Sequence, residues 1–308
     1  MKYPVTHPMK VSDLVEQLAG LVQDTYGSAH QDITYVCNLM SLDGRDALAF
    51  CSLEADAAIA AIEQSRAAAV ICNGNAAIKL KASVSNRTLI VSNDPRAAFA
   101  VAAQHLFNPA APEQVRHPLA RIASSAQIGD GVSIGANAVI GENCVIHAGS
   151  RIEPGAVVYQ GTEIGHECRI EAGAVLGSKG FGFARDSTGT LVRFPQLGKV
   201  VLGDRVEIGS RASVDCGSLQ DTEIGCGTKV DDLAYIAHNV SIGRDCLIMA
   251  GAVLCGGCRI GDFVEIAPGA VVREKITIGA RARIGLGSVV TKDVPAGVSV
   301  AGVPARPL

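Results

Sequence analysis

The sequence predicts a mainly β protein: a parallel β-solenoid preceded by a small α/β domain. Two observations predict it, a six-residue aliphatic period through most of the chain and the absence of that period before about residue 118. Read in sixes from Ile224, the first residues of successive hexads are Ile224, Val230, Ile236, Ile242, Ile248, Leu254, Ile260, Ile266, Val272, Ile278, Ile284 and Val290. All twelve are aliphatic, which chance would give with a probability on the order of 10⁻⁷. The same phase holds upstream at Ile128, Ile134, Ile140, Ile146, Ile152, Val158, Ile164, Ile170 and Leu176, and again at Leu202, Ile208 and Val214. Two interruptions, 177–199 and 214–223, break it.

The other hexad positions define the coil. The fifth is small or β-branched (Val132, Ala138, Cys144, Ser150, Cys168, Cys246, Ala252, Cys258), and the fourth is often Gly or Asn (Gly131, Asn137, Asn143, Gly149, Asn239, Gly251). Gly and Asn best tolerate the positive φ of a sharp corner. One large inward side chain, one small inward side chain and a corner make one face of a triangular coil, and three hexads complete a turn of 18 residues. Residues 18 apart then stack about 4.8 Å from each other. No two of the ten cysteines are 18 apart, and Cys144, Cys168, Cys246 and Cys258 fall in the small inward slot, so free, buried thiols are predicted.

Residues 1–118 mix short apolar runs, "AAAVIC" (67–72) and "RTLIVS" (87–92), with helix-like stretches, "VSDLVEQLAGLV" (11–22) and "DPRAAFAVAAQHLF" (94–107). Asp94 is placed to cap the last of these. The polar, proline-containing stretch 108–118 reads as a linker to the solenoid of 119–308, and "AGVPARPL" at the end lacks an amphipathic helix to cap the last coil.

Composition excludes several classes. Of the 308 residues 48% are hydrophobic and 19% charged, with no Trp and few aromatics. No apolar run approaches the roughly 18 residues of a membrane span, and "MKYPVTHPMK" has no signal-peptide character. A cytoplasmic protein without a membrane-spanning segment is expected. A net charge of −3 with mixed signs gives no electrostatic reason to bind nucleic acid.

Reactive groups on such a shaft must sit on outward corners or in the interruptions. His147, His166 and His238 occupy outward positions. His238, in "YIAHNVSIG", stacks in one column with Gly256 one coil on and Glu274 a further coil on. An imidazole base beside a cleared backbone N–H is what acyl transfer from a thioester requires: the base takes the proton of the attacking amine or hydroxyl, and the amide N–H stabilises the oxyanion. His238 and Gly256 are therefore the candidate catalytic pair. Asp231 and Asp232, one hexad earlier, are candidates to orient the ring or hold an ammonium group. His147 and His166 are 19 apart and should meet at a corner, but no third histidine has ligand spacing and no metal is expected. The first interruption concentrates Phe181, Phe183 and Phe194, for substrate binding or subunit packing.

The runs "LGSKGFGFARD", "FPQLGKVVLGDRVEIGSRASVDCGSLQDTEIG" and "VDDLAYIAHNVSIG" resemble the UDP-3-O-acylglucosamine N-acyltransferases of lipid A biosynthesis, over residues 11–290. The resemblance implies a left-handed parallel β-helix and a homotrimer with active sites at subunit boundaries. It also implies an acyl-carrier-protein donor, no covalently bound cofactor, and transfer of a 3-hydroxyacyl chain to the amine of a UDP-linked glucosamine. Carried over, His238 is the general base and Gly256 the oxyanion donor. Phe50 matches an aromatic that stacks on uracil, and Phe181, Phe183, Asp231, Asp232, Tyr235, Asn239 and Lys275 fall on the substrate side. The chain departs from the pattern at Cys216, where the family often has Arg, and at Lys275, where a second histidine is expected. A tyrosine expected around Asp56 is missing, and the ending resembles that of acetyl-CoA-dependent acyltransferases. Those departures fit an acyl-CoA-dependent enzyme acting on another nucleotide-linked amino sugar. A non-catalytic solenoid scaffold is the alternative outside enzymes.

Overall fold

A computed structural model describes residues 2–41, 44–81, 87–107 and 115–308. The chain divides into two compact units, Met1–Ala110 and Ala111–Leu308. Most of the expected linker, 108–114, lies outside the described residues.

The first unit is a six-stranded mixed sheet between two helical layers. In chain order its elements are β1 (Lys2–Lys10), α1 (Val11–Gln17), β2 (Asp24–Tyr26), β3 (Asp32–Cys37), β4 (Ala47–Phe50), α2 (Ala55–Gln64), β5 (Ala69–Cys72), α3 (Gly74–Leu80), β6 (Thr88–Val91) and α4 (Pro95–Leu106). The spatial order is β1-β3-β4-β5-β6-β2, with β3 to β6 parallel and both edge strands antiparallel. Both faces are covered, so β5 and β6 are continuously apolar rather than alternating. Val70, Cys72, Leu89 and Val91 pack with Ala58, Ile62, Ala76 and Leu80 on one face. Ile71 and Ile90 meet Leu14, Leu18, Ala98, Ala102 and Leu106 on the other. Asp94 caps α4 as predicted, its Oδ1 accepting from Ala97 N–H at 2.9 Å. The first helix stops at Gln17, short of the expected 22: Leu18 leaves helical geometry and Gly20 takes φ +92°.

The second unit is the predicted solenoid. Its short strands form three parallel sheets, and the register steps by 18 residues per coil, as in Val139↔Val157 and Ile236↔Leu254. The aliphatic rows and the small fifth-position residues form one continuous core. Cys144, Cys168, Cys246 and Cys258 are buried within it, each donating its thiol to a carbonyl at 3.1 Å. Ser150 and Thr228, in the same slot, donate to carbonyls at 2.8 Å. The slot therefore takes any small side chain, with a donor finding the carbonyl of a neighbouring coil. All ten cysteines are free. Fourth-position residues turn the corners with positive φ, not only at glycine but at Asn137, Asn143 and Asn239. The last residues fold back on themselves: Ser299–Ala301 pairs antiparallel with Arg306–Pro307, closing the sheet edge in place of a helix.

Both interruptions leave the shaft from the same sheet, at adjacent coils. The strand Val175–Lys179 runs past its normal length and pairs with Ser213–Cys216, an irregularity after Leu176 bringing Ser178 opposite Asp215 and Lys179 opposite Cys216. Beyond Lys179 an antiparallel hairpin, Phe183–Arg185 with Leu191–Arg193, projects with every strand residue exposed.

Candidate functional site

His238 follows the strand Tyr235–Ile236 of that same sheet, so its ring lies at the corner where both interruptions emerge. Two glycines flank it. A Cβ at Gly256 would stand 2.8 Å from His238 Cε1 and 2.9 Å from Nε2, and a Cβ at Gly180 would stand 2.9 Å from both His238 Cβ and Cδ2. Real Cβ atoms do not approach so closely, so the ring fits only between two residues without side chains. Gly256 comes from the coil below, as the column predicts. Gly180 comes from the first interruption, which no period governs.

The ring's tautomer is set by Asn239. Asn239 Nδ2 donates to the Gln220 carbonyl at 2.9 Å, while its Oδ1 accepts from the Ser218 hydroxyl at 2.6 Å and from Ser218 N–H at 3.2 Å. A carbonyl can only accept and a backbone N–H can only donate, so the amide orientation is fixed. His238 Nδ1, 2.9 Å from that same Oδ1, must therefore carry the proton. In the neutral ring this leaves the Nε2 lone pair unprotonated, on the edge that faces Gly256.

The second component is the Gly256 N–H. At three other corners the equivalent N–H is taken by an aspartate one coil on: His166 by Asp204 (2.8 Å), Ser210 by Asp232 (2.6 Å) and Arg244 by Asp262 (3.0 Å). One coil on from Gly256 stands Glu274 instead, and the Gly256 N–H has no hydrogen-bond partner among the described residues. A base with a free Nε2 beside an unoccupied backbone donor can deprotonate a nucleophile and hold an oxyanion.

Asp231 and Asp232 sit at the preceding corner. Asp232 caps the Ser210 N–H, Asp231 accepts from Asp232 N–H at 2.8 Å, and both line a separate cavity of about 410 Å³ with Lys229 and Met249. They do not orient His238; Asn239 does. One hexad of sequence carries the chain to another face of the triangle. Tyr235 donates its phenol to Asp215 Oδ2 at 2.6 Å. Burial first, then the hydrogen bond to Asp215 and its charge, push that phenol's pKa upward. Lys275 turns the corner one coil below Gly256 and two below His238, its N–H bonded to the Gly256 carbonyl at 3.0 Å. Phe181 and Phe183 meet edge to face at 5.1 Å, with Arg193 over Phe183, but Phe181 is 83% exposed. In the first unit Phe50 stacks on Phe99 with centroids 4.7 Å apart. His147 and His166 stack at 4.8 Å as their spacing predicts, and among the described residues no group of three His, Cys, Asp or Glu is placed to hold a metal.

Sequence reasoning missed Gly180, Gln196 and Asp215. Gln196 Oε1 is buried without a hydrogen-bond partner and lies 3.0 Å from the same Gly180 Cβ position, hence within about 6 Å of the His238 ring. A cavity of about 950 Å³ opens on the coils above His238, lined by Tyr159, Lys179, Gln196, Lys199, Cys216 and Asp221 among others but not by His238 or Gly256. Lys199 pairs with Glu163; Lys179, opposite Cys216, brings a second cation to the wall.

Comparison with known proteins places this architecture. The family model of bacterial transferase hexapeptide repeats matches residues 143–178, 221–256 and 257–292. Among solved structures, the UDP-N-acetylglucosamine acyltransferase of Francisella novicida superposes with a TM-score of 0.57 at 26% identity, over 62% of this chain and 69% of that one. LpxA from Acinetobacter baumannii gives 0.58 at 25% identity, over 64% of this chain and 74% of that one. The chain is similar to the hexapeptide-repeat transferases over these repeats, and its solenoid has the fold of their left-handed β-helix.

Its sequence is similar to the UDP-3-O-acylglucosamine N-acyltransferases. It is 47% identical over 145 residues to that of Caulobacter sp. (strain K31) and 43% identical over 145 residues to that of Methylobacterium nodulans. Each match covers 47% of this chain and spans only about two fifths of the relative, 42% and 41%.

Proposed function

We propose that this chain is an N-acyltransferase that moves an acyl chain from a thioester to the amine of a UDP-linked glucosamine in lipid A biosynthesis. The observation that carries the reading is the His238 ring, locked with Nδ1 on Asn239 and Nε2 facing the cleared Gly256.

The residues support the following sequence. The acceptor amine approaches Nε2 and its nitrogen attacks the thioester carbonyl carbon. A C–N bond forms, and the carbonyl electron pair moves to oxygen, where the Gly256 N–H receives it. His238 Nε2 takes the proton that the nitrogen sheds. Collapse of the tetrahedral intermediate breaks the C–S bond, and the imidazolium returns its proton to the departing thiolate. Asn239 keeps the ring in one orientation through both transfers.

The similarity to the N-acyltransferases supports an acyl-carrier-protein donor bearing a 3-hydroxyacyl chain, a homotrimer with sites at subunit boundaries, and a cytoplasmic location. Phe181 at 83% and Leu197 at 77% exposure give the first interruption apolar surface for such a boundary. No helix among the described residues is long and apolar enough to cross a membrane. Within the first unit Phe50 is assigned to the uracil; within the solenoid Lys275 and Tyr235 are assigned to the substrate side of the His238 corner, and Asp231 and Asp232, on another face, are not.

A second reading keeps the site and changes the substrates to an acyl-CoA and another nucleotide-linked amino sugar. Cys216, Lys275 and the "AGVPARPL" ending favour it. Turnover with acyl-carrier-protein thioesters against acyl-CoA, on UDP-linked glucosamine acceptors, separates the two. His238→Ala is expected to lower turnover by about 10² to 10⁴ without unfolding the protein. Near-normal activity in that variant removes His238 from the reaction.

A further inference from the structure

Three consecutive strands of one sheet end at the His238 corner, and one buried carboxylate joins them. Asp215 is 4% exposed. Its Oδ1 accepts from the Ser178 hydroxyl at 2.7 Å, on the strand above, and its Oδ2 from the Tyr235 phenol at 2.6 Å, on the strand below. Position matters more than the bonds alone. Ser178 precedes Gly180 by two residues, Asp215 precedes Ser218 by three, and Tyr235 precedes His238 by three. Gly180 abuts the Cδ2 edge of the ring, and Ser218 fixes the Asn239 amide that holds Nδ1. The Gly180 and Ser218 contacts on the ring therefore start within three residues of this clamp, while Gly256 and Gln220 complete the setting from further along the chain.

We propose that Asp215 is a positioning residue, a clamp that ties both interruptions to the strand bearing His238 and so holds the imidazole in its base tautomer. The inference rests on His238 being the base. Burying a carboxylate against two hydroxyls costs more than an apolar contact would, and a strand needing only cohesion has cheaper means: Ala237 and Cys255 fill the corresponding place in the next two coils. What a carboxylate adds is two diverging acceptors on one rigid group, which fix the neighbouring strands at a set spacing and rotation. The upward-shifted Tyr235 phenol stays a donor throughout the neutral range.

The test uses the full chain with Tyr235→Phe, Ser178→Ala and Asp215→Asn, and two readouts. In acyl transfer, Tyr235→Phe is expected to lower kcat about tenfold with KM within about twofold, since the loss falls on the transition state. Asp215→Asn, which disturbs both bonds, is expected to lower it about 10²-fold. In histidine ¹⁵N NMR, assigned by the signal missing from His238→Ala, wild type should show the Nδ1-protonated form and the variants a mixture. Folded Tyr235→Phe and Ser178→Ala proteins that keep both the wild-type kcat and the single tautomer overturn the clamp, whether or not Asp215→Asn folds. If the wild type itself transfers no acyl group, the proposed reaction falls, and the NMR readout alone decides the clamp.

Discussion

Gly256→Ala separates the placement of the base from the oxyanion donor, because alanine keeps the backbone N–H and adds one methyl. Gly256 is not among the residues with positive φ, so its backbone accepts alanine without strain. The new Cβ would stand 2.8 Å from His238 Cε1, 2.9 Å from Nε2 and 3.3 Å from Nδ1. Ordinary contact begins near about 3.5 Å, so the ring must retreat by roughly 0.7 Å. Retreat along the bond axis would stretch the 2.9 Å Nδ1 to Asn239 bond to as much as about 3.6 Å, and any other direction misaligns it. The tautomer lock is then lost, and Nε2 is both displaced and partly covered. Misplacement on the order of 1 Å costs about 10² in rate, and complete loss of a general base 10² to 10⁴, so kcat should fall by about 10² to 10³. Stability should fall by only about 1–3 kcal/mol, the usual cost of an added methyl group in a tight site. The assay is steady-state acyl transfer with thermal unfolding on the same preparations. Gly251→Ala is the control: Gly251 has φ +65° with nothing within 4 Å of an added Cβ, so it tests backbone cost alone and should keep wild-type turnover. A folded Gly256→Ala enzyme with turnover within about threefold of wild type would refute the assignment of the Gly256 face to the reaction.

The opposite face of the ring gives a companion prediction. Gly180→Ala places a Cβ 2.9 Å from His238 Cβ and Cδ2, and 3.0 Å from the flexible Gln196 amide; kcat should fall about tenfold, less than for Gly256→Ala because the interruption can give way where the shaft cannot. The buried thiols make stability depend on alkaline pH. Burial pushes Cys258 up to about 11 and Cys72 up to about 12 from an ordinary 9.0. Between those limits the unfolded chain has lost the proton while the folded chain keeps it, so stability is complete below about pH 9 and declines as pH rises towards 11 and 12. Thermal unfolding from pH 8 to 11 should show that decline, and Cys258→Ala should flatten part of it; a slope unchanged by the substitution assigns the effect to other groups.

The shaft was legible in the sequence because its period is strict. One residue in six must point inward, so the aliphatic rows, the small slots and the 18-residue register follow from spacing, and the pairing of His238 with Gly256 follows from the register. What surrounds the ring did not follow. Asp231 and Asp232 are close to His238 along the chain, but the intervening corner turns them onto another face, where Asp232 caps Ser210. The ring's partner is the adjacent Asn239, at a corner with φ +59°, held by Ser218 and Gln220 from an interruption outside the period. Outward residues cannot be ranked by hydrophobicity either, because the interruptions decide what they cover. Asp215 is outward by phase and charged, yet only 4% exposed, whereas Phe181 is 83% exposed. A periodic fold thus announces its core and hides its site: the His238–Gly256 column is read from register, but the groups that hold the ring come from the two segments that depart from the repeat and from Asn239. In this chain those segments leave from adjacent coils of one sheet, immediately above the histidine, and that coincidence is the strongest reason to place the reaction at that corner.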